Sequence, residues 1–468
     1  MVIQFCNRKE ELKTLANQLN KIGFGLIIIY GRRRIGKTSL ILEATKNKKR
    51  LYYMAVEKGN LEGFYKKCVE LFPEASKLRK DWEVLFEYIK NEVEVVIIDE
   101  FQNSIKEDKS IISLFQRIVD TTLLNSNLKL VLLGSTVSVI TSKVLSYKSP
   151  LYGRKTFSMK LKPVKFSALK DFFPEKSVEE LVEIYGFADG IPYYLTKIGR
   201  KEGFWEWLQK ELAEKTFLTD EIDFLMRYEF EEVGTYKAIL YAIAYGKTKI
   251  NEIKDFTGLS RTDISPYLKN LIETDLIVKK IPILEKQQTR KGRYYLKDNF
   301  LAFWFRYIFP NLSSIEEGIF DIKAIKQDYN SYLGVVFEKI CKEALVELIK
   351  QKKLPSFTKI GKQWGSYTAK NEETGRIEKK NYEIDLVTLN EKTKEILFAE
   401  CKWREKINAE KIIKDLIKKS RLVNWHKNKR KEYFVVFAKS FGKRIDSFEG
   451  KKVYCFDLKD LEKLFSAF

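Results

Sequence analysis

Apolar residues in the first third of the chain occur in five short runs, separated by longer segments in which apolar residues recur every three or four positions. The runs predict buried strands, and the longer segments predict amphipathic helices. The predicted strands cover residues 26–30, 50–55, 93–98, 128–133 and 156–161. Because strands and helices alternate, we expect a three-layer α/β domain with a mainly parallel sheet.

The pattern changes after residue 164, from where it is helical as far as Arg227, as in a lid-like subdomain. Helices at 235–244, 250–256 and 261–273, the last capped by Ser260, then precede strands at 276–280 and 293–296. Three helices and a two-stranded wing are typical of a winged helix-turn-helix. An irregular bridge follows, and a helix from Gly334 with later strands at 382–387 and 396–403 predicts a second α/β unit. The predicted domains are 1–164 (core), 165–232 (helical lid), 233–298 (winged helix), 299–330 (bridge) and 331–468 (C-terminal α/β domain).

The loop after the first strand carries the most specific signal in the sequence. It reads Gly-Arg-Arg-Arg-Ile-Gly-Lys-Thr and leads directly into a helix, which makes it a complete P-loop. Its backbone N–H groups point at phosphate oxygens, Lys37 reaches the β- and γ-phosphates, and Thr38 ligates Mg²⁺. We therefore expect ATP and Mg²⁺ at this loop. The predicted nucleotide-binding residues are Gly31, Arg32, Arg33, Arg34, Ile35, Gly36, Lys37, Thr38 and Ser39.

The third strand ends in Asp99 and Glu100, and an apolar strand with this ending downstream of a P-loop predicts the second half of the nucleotide site. Asp99 is expected in the Mg²⁺ shell beside Thr38, and Glu100 is expected to polarise the attacking water.

Two further polar positions have open interpretations. Ser135 and Thr136, after the fourth strand, either sense the γ-phosphate or cap the next helix. Arg154 is either an arginine finger, in its own or a neighbouring subunit, or a surface or phosphate-backbone contact.

The C-terminal α/β unit contains four residues that suggest a metal-dependent site. Glu338 lies on the predicted helix and Asp385 on one strand, while Glu400 and Lys402 share a face of the next strand. If these elements meet, the three carboxylates share a Mg²⁺ and Lys402 orients or activates water. The alternative is a Glu–Lys ion pair at the end of a strand.

Composition favours a polyanionic partner, because 86 Lys and Arg residues against 64 Asp and Glu residues give a net charge of +22. A lysine-rich, thermally adapted surface is the alternative. Candidate DNA contacts in the winged helix lie on its third helix (Arg261, Thr262, Ser265 and Tyr267) and on its wing (Lys286, Arg290, Lys291 and Arg293). The winged helix could equally serve protein packing alone.

Other features of the composition exclude several classes of protein. The 5 cysteines are scattered and the chain has 1 histidine, so a disulfide framework, a histidine triad and a multi-histidine metal site are not expected. No apolar run approaches the ~20 residues that span a bilayer, and charged residues interrupt the N-terminus before a signal sequence can form. We expect a cytoplasmic protein without a membrane partner.

Two resemblances rest on these motifs. The N-terminal part of the chain resembles the archaeal AAA+ ATPases of the STAND-related branch. The resemblance rests on the segment from Phe5 through the P-loop, the Ile-Ile-Asp-Glu strand, Gly134-Ser135, Leu151-Tyr152-Gly153-Arg154 and Gly190-Ile191-Pro192. The C-terminal domain resembles the PD-(D/E)XK nuclease-like domain often fused to them.

The resemblance implies an archaeal cytoplasmic ATPase. Together with the basic composition, it predicts a protein that acts on or regulates DNA, and a homo-oligomer is one of its expected states. Glu100 would be catalytic in it, and Glu338, Asp385, Glu400 and Lys402 would form a nuclease-type site. The alternative is a nucleotide-dependent switch that binds DNA or a protein partner without nuclease activity.

Overall fold

The computed structural model describes residues 6–215, 217–286, 288–289, 291–370 and 376–465. These residues form two compact units. The first unit contains the chain up to Val164 together with residues 190–197 and 273–275, and the second unit contains the rest. Each unit is built around its own sheet.

The sheet of the first unit has five parallel strands in the order β2-β3-β4-β1-β5. They are β1 (Gly25–Tyr30), β2 (Arg50–Met54), β3 (Val95–Asp99), β4 (Lys129–Gly134) and β5 (Phe157–Lys160). Each lies within two residues of an apolar run in the sequence, so the predicted parallel α/β core is confirmed. The carboxyl ends of β1, β3 and β4 therefore lie side by side, which brings the loops that follow them to one edge of the sheet.

Helices cover both faces of this sheet. Alternate strand residues point to opposite sides, so each face presents apolar side chains that pack against helices. Leu26 and Ile28 enter one apolar core, while Ile27 and Ile29 enter the other. The helices are α1 (Lys9–Leu19), α2 (Lys37–Ala44), α3 (Asn60–Leu71), α4 (Trp82–Ile89), α5 (Gln102–Glu107), α6 (Ile111–Ile118) and α7 (Val137–Val139). Short 3₁₀ helices lie at Pro73–Lys77 and Tyr152–Arg154, and π-helical turns lie at Val119–Leu123 and Ile140–Val144.

The chain after Val164 begins as a largely helical region, as the sequence predicts. Its helices are α8 (Leu169–Phe172), α9 (Val178–Ala188), α10 (Pro192–Leu195), α11 (Phe204–Ala213) and α12 (Phe217–Glu229), and 3₁₀ turns lie at Phe166–Ala168 and Phe309–Asn311. Of these helices α10 belongs to the first unit.

Three helices and an antiparallel pair of strands follow in the second unit. They are α13 (Val233–Ala244), α14 (Ile250–Thr257), α15 (Ser265–Glu273), β6 (Ile277–Lys280) and β7 (Arg293–Leu296). Helix α15 begins four residues later than the sequence predicts, so Arg261 and Thr262 lie in the preceding turn. Asp263 accepts a hydrogen bond from the Ser265 N–H at 3.0 Å, and it therefore takes the role predicted for Ser260.

The bridge is more regular than the sequence suggests. It contains α16 (Asn299–Phe303), a π-helical segment at Trp304–Ile308, α17 (Leu312–Glu316) and the start of α18 (Lys323–Lys350). Helix α18 begins well before Gly334, because Ile325, Tyr329 and Tyr332 continue its buried face toward the N-terminus. The predicted boundary at residue 330 therefore falls inside a helix.

A mixed six-stranded sheet in the order β14-β15-β12-β10-β9-β8 forms the C-terminal core of the second unit. Its strands and those of a small separate pair are β8 (Lys359–Lys370), β9 (Ile377–Asn390), β10 (Glu395–Lys402), β11 (Ile407–Asn408), β12 (Lys431–Ala438), β13 (Phe441–Lys443), β14 (Ser447–Phe448) and β15 (Lys451–Phe456). Helices α19 (Ala409–Arg421) and α20 (Leu458–Phe465) complete the unit. In the described part of the chain, no helix is both long enough and apolar enough to span a bilayer.

Candidate nucleotide site and acid–lysine cluster

Two glycines shape the P-loop between β1 and α2. Gly31 has a φ of +151°, and a Cβ placed on it would lie 2.5 Å from the Leu161 carbonyl oxygen and 2.5 Å from the Ile35 side chain. Gly36 has a φ of +85° immediately before α2 begins at Lys37. Only glycine accommodates such close backbone approach without strain, so the turn is fixed by the sequence itself.

The residues that the sequence assigns to the Mg²⁺ shell lie together in the structure. The Thr38 hydroxyl donates to an Asp99 carboxylate oxygen at 2.5 Å, and Tyr52 on the neighbouring strand β2 donates to the same oxygen at 3.0 Å. Asp99 is only 2% exposed. Burial and the Asp99 charge raise the pKa of Tyr52, so Tyr52 remains a protonated donor. The Lys37 ammonium donates to the Gly31 and Arg32 carbonyls, at 2.9 Å each, within the loop.

Glu100 is held in a fixed position beside this pair. Its backbone has a φ of +52°, and its N–H donates to Asp99 at 2.8 Å. The Glu100 carboxylate accepts hydrogen bonds from the Ser135 hydroxyl at 2.6 Å and from the Gln102 side-chain amide, and the Arg33 guanidinium lies 3.8 Å away. A non-glycine residue held at positive φ is strained backbone of the kind that concentrates at functional sites.

A cavity of about 340 Å³ opens over the P-loop. Its floor consists of loop residues and Glu100, and its far side is formed by Pro192, Tyr193 and Thr196 from the α10 segment. The Arg34 guanidinium lies 4.0 Å from the centre of the Tyr193 ring, which fixes the two walls against each other. The cavity is therefore polar at the phosphate-binding loop and partly aromatic opposite it.

The structure places the two undecided positions differently. Ser135 contacts Glu100, whereas the Thr136 hydroxyl, at the start of α7, makes no helix-capping hydrogen bond. Arg154 forms two hydrogen bonds with Asp120, at 2.7 and 2.9 Å, and is not among the residues that line the P-loop cavity. A role for Arg154 toward nucleotide, in this or a neighbouring subunit, stays a prediction.

The sequence does not single out Tyr52, Gln102 or Tyr193. Gln102 has a weak signal, because it is a polar residue only two positions after Glu100. Tyr52 has none, because it reaches Asp99 through the pairing of β2 with β3. Tyr193 has none either, because it meets Arg34 of the P-loop from a segment about 150 residues away.

The four predicted residues of the C-terminal site lie in the second unit on α18, β9 and β10. Lys402 contacts both Glu400, at 2.6 Å, and Asp385, at 3.8 Å. Lys419 of α19 holds the other oxygen of Glu400 at 2.9 Å, and the Cys401 N–H donates to Asp385 at 2.9 Å. Burial raises the pKa of Glu400, as does the neighbouring charge of Asp385.

Glu338 belongs to an adjacent charge network. Its carboxylate pairs with Lys362 at 2.7 Å, and Lys362 also contacts Glu383 at 3.0 Å. Burial raises the pKa of Asp385, and the negative charge of Glu338 contributes to the rise. Within the part of the chain that the structure describes, no group of three or more Asp, Glu, His or Cys side chains is arranged to hold a metal ion. Each carboxylate contacts a lysine instead, and the metal-ligand roles of Glu338, Asp385 and Glu400 stay predictions.

The predicted wing packs within the second unit. Arg293 pairs with Glu383 at 2.6 Å and lies 4.7 Å from the centre of the Trp364 ring. The loop also joins β8, because the Ile283 N–H donates to the Lys362 carbonyl at 2.8 Å and Trp364 donates to the Lys291 carbonyl at 3.2 Å. Lys286 is exposed, and Arg290 lies outside the described residues. These contacts agree with the packing interpretation of this hairpin.

Comparison with known proteins identifies both regions. Residues 5–198 match a family described as an ATPase domain predominantly from Archaea, and residues 304–413 match a family described as archaeal and bacterial proteins of unknown function. The uncharacterized protein MJECL04 of Methanocaldococcus jannaschii is 51% identical over 460 residues, which cover 97% of this chain and 99% of that protein. The chain belongs to the MJECL04 family.

Two further proteins are similar to parts of the chain. The uncharacterized ATP-binding protein MJ0423 of the same organism is 52% identical over 48 residues, 10% of this chain and 81% of that protein. The Walker-type ATPase PABY2304 of Pyrococcus abyssi is 24% identical, covers 64% of this chain and 96% of its own, and has a TM-score of 0.50. The second similarity shows a shared fold. This member of the MJECL04 family thus combines an archaeal P-loop ATPase domain with a C-terminal domain whose matched segment contains Glu338, Asp385, Glu400 and Lys402.

Proposed function

We propose that the chain binds ATP with Mg²⁺ at the P-loop and hydrolyses it. The observation that carries the proposal is the contact between the Thr38 hydroxyl and Asp99 at 2.5 Å, directly beside a Glu100 carboxylate held by Ser135. Three separate segments of the chain supply these groups, and Thr38 and Glu100 among them line the cavity over the P-loop.

The donor set fits Mg²⁺, a hard cation that prefers a hydroxyl and one or two carboxylates together with phosphate oxygens. Thr38 and Asp99 would hold the ion, either directly or through water. When bound, Mg²⁺ would neutralise charge on the phosphates.

The remaining steps belong to residues of the chain. Lys37 would exchange its two carbonyl contacts for oxygens of the β- and γ-phosphates. Glu100 would accept a hydrogen bond from the attacking water and then its proton, while Ser135 and Gln102 keep the carboxylate oriented. Tyr193 and Pro192 would border the nucleotide on the side opposite the loop.

Nucleotide affinity tests the binding half of the proposal. Replacing Lys37 with alanine removes charge-assisted hydrogen bonds worth about 1.5–3 kcal/mol, so we expect affinity to fall about ten- to a hundredfold. Lys46→Ala, at an exposed lysine on the same unit, is the matched control and should bind as the wild type does. Unchanged affinity of Lys37→Ala for a fluorescent ATP analogue would refute the site.

We infer further that the ATPase acts on or regulates DNA. The net charge of +22 supports this, as do the exposed cations Arg261 and Lys269 at and before α15. In this view nucleotide state shifts the population of a DNA-binding arrangement. Duplex binding that weakens with salt and responds to ATP would support the inference. No binding at low salt would leave regulation of a protein partner.

A nuclease is the second candidate function. It is favoured by one observation, which is that Lys402 contacts both the half-buried Asp385 and the buried Glu400, two carboxylates on neighbouring strands. The test is incubation of single-stranded, duplex and branched DNA with Mg²⁺ or Mn²⁺. Cleavage that is lost in Asp385→Ala and kept in the exposed control Asp446→Ala supports a nuclease. Equal cleavage by both variants indicates contamination, and none by the wild type indicates a binding domain.

A further inference from the structure

A strongly cationic cavity of about 1020 Å³ lies in the C-terminal part of the second unit, where the end of α18 meets the end of α19 and the first residues of β12 and β15. Eight lysines and arginines line it, against a single carboxylate, that of Glu432. The lining cations are Lys352, Lys353, Arg421, Lys427, Arg430, Lys431, Lys451 and Lys452.

This cavity is separate from the acid–lysine cluster around Glu400. Lys431 is the partner of Glu395 at the start of the parallel pair β10 and β12, whereas Glu400 pairs with Val436 near the other end. Five residues of strand separate the two positions, a distance of about 16 Å at 3.3 Å per residue. The cavity and the cluster therefore lie toward opposite ends of the same strands.

The single carboxylate in the lining is already neutralised. Glu432 pairs with Arg430 at 2.7 Å and also with Lys451. The Arg430 guanidinium is also engaged in contacts within the protein, because it donates to the carbonyls of Ser420, Val423 and Trp425 at 2.7–2.9 Å. These two cations build the wall and are not available to a ligand.

Other lysines remain available to a ligand. In the described part of the chain Lys352, Lys353, Lys427 and Lys452 form no ion pair, and all four are exposed. Uncompensated ammonium groups around one concavity repel each other and attract a ligand with several negative charges. A single phosphate would engage only part of this rim, so the arrangement fits a series of phosphates.

An aromatic ring stands next to these charges. Tyr454 lines the cavity, is half-buried, and has the Lys452 ammonium 5.2 Å from its ring centre. Alternating lysines and aromatic rings are the means by which proteins hold single-stranded nucleic acid, with phosphates on the cations and bases on the rings.

We propose that this cavity binds the backbone of a single-stranded nucleic acid, with phosphates on Lys352, Lys353, Lys427 and Lys452 and a base against Tyr454. The proposal extends the DNA-directed part of the proposed function and gives the strand a place away from the acid–lysine cluster. It makes no use of the P-loop, so the thermal midpoint of the second unit, and not ATP turnover, checks that each cavity variant is folded.

The first test is the salt dependence of binding to a short fluorescent oligothymidylate. Each phosphate contact contributes about 0.7 to the slope of log K against log salt for single strands. Lys427→Gln with Lys452→Gln should therefore make the slope shallower by about 1.4 and weaken binding at low salt. The matched control is Lys58→Gln with Lys109→Gln, two exposed lysines of the first unit outside both cavities, and it should retain the wild-type slope.

A second pair of variants tests the ring. Tyr454→Leu should weaken single-strand binding about fivefold or more through the lost stacking, and Tyr454→Phe should restore it. A general loss of folding would lower single-strand binding by both variants alike, so the phenylalanine rescue separates lost stacking from structural damage.

Three results would overturn the proposal. A wild-type slope in the double lysine variant places the strand elsewhere and leaves DNA binding intact. A wild type that binds no oligonucleotide removes this site and the DNA-directed function together, with the ATPase assignment unaffected. Tripolyphosphate binding that needs the two lysines, without any effect on the oligonucleotide, makes the cavity a site for free oligophosphates.

Discussion

The two groups of acidic residues in this chain differ in what surrounds them. In the first unit, Asp99 and Glu100 accept hydrogen bonds from hydroxyl and amide groups, and the Arg33 guanidinium lies 3.8 Å from Glu100. In the second unit, Glu400 and Glu338 each contact a lysine ammonium at 2.6–2.7 Å. The carboxylates of the two units therefore differ in the chemical groups that contact them.

This difference indicates which of the two sets of carboxylates can bind a cation more readily. Neutral donors orient a carboxylate but leave its negative charge in place, so Mg²⁺ and a polarised water gain from approaching it. A carboxylate that already contacts lysine must exchange that partner before it can hold a metal, which costs part of the binding free energy. We therefore expect Mg²⁺ to bind at the P-loop site more readily than at the acid–lysine cluster.

The largest effect should come from Glu100→Gln. The amide keeps the shape of the side chain but cannot take a proton from water, and loss of a general base costs about a hundredfold or more in turnover. We expect ATP affinity close to the wild type, with phosphate release slowed by that factor. The same conservative change at Glu57, an exposed glutamate of the same unit, should leave turnover unchanged.

Two outcomes would contradict a catalytic role for Glu100. Turnover of Glu100→Gln within a few fold of the wild type would remove Glu100 from the chemistry. A parallel loss of ATP affinity would mean that Glu100 serves binding, and its contacts with Ser135 and Gln102 would then have no catalytic meaning.

A pair of glycine substitutions compares how rigidly the two regions are built. Gly31→Ala places a methyl group 2.5 Å from the Leu161 carbonyl oxygen, so we expect a loss of about 1–3 kcal/mol in the stability of the first unit. Gly334 lies in the middle of α18 with no atom within 4 Å of an added Cβ, and Gly334→Ala should stabilise the second unit by about 0.5–1 kcal/mol.

Thermal unfolding followed by circular dichroism measures both changes. The two units can unfold in separate transitions, so each variant should shift one midpoint and leave the other in place. A Gly31→Ala protein as stable as the wild type would show that the P-loop backbone shifts easily to accommodate the methyl group. Rigidity of the loop would then not explain the contact between Thr38 and Asp99.

The positions of the P-loop and of its flanking strand and helix could be predicted from the sequence because these parts are local. Strand β1, the loop and helix α2 are contiguous, and the glycines fix the turn between them. Asp99 and Glu100 follow an apolar run whose strand lies where the pattern places it. The roles of these residues depend on chain order more than on long-range packing.

The sequence cannot predict contacts that depend on long-range pairing. Tyr52 reaches Asp99 because β2 and β3 are neighbouring strands. An apolar run in the sequence does not specify the strand with which it will pair. The contacts of Glu400 with Lys419 and of Glu338 with Lys362 come from α19 and β8, and the spacing of these residues along the chain carries no signal. The early start of α18 was missed because polar residues interrupt its buried face, and burial there is decided by the aromatic core of the bridge.

The smallest predicted effect concerns the charge network that holds Glu338. Arg293 pairs with Glu383, which shares Lys362 with Glu338, so this ion pair is the outer link of the network. A double-mutant cycle of Arg293→Gln and Glu383→Gln should give a coupling energy of about 1 kcal/mol, because the pair is half-buried and stacked on Trp364. The same cycle on the exposed pair of Lys291 and Glu285 should give less than about 0.5 kcal/mol. If the two cycles gave equal values, the cations beside Glu338 would be as loosely held as surface charges, and Glu338 would be as open to a metal ion as Asp99.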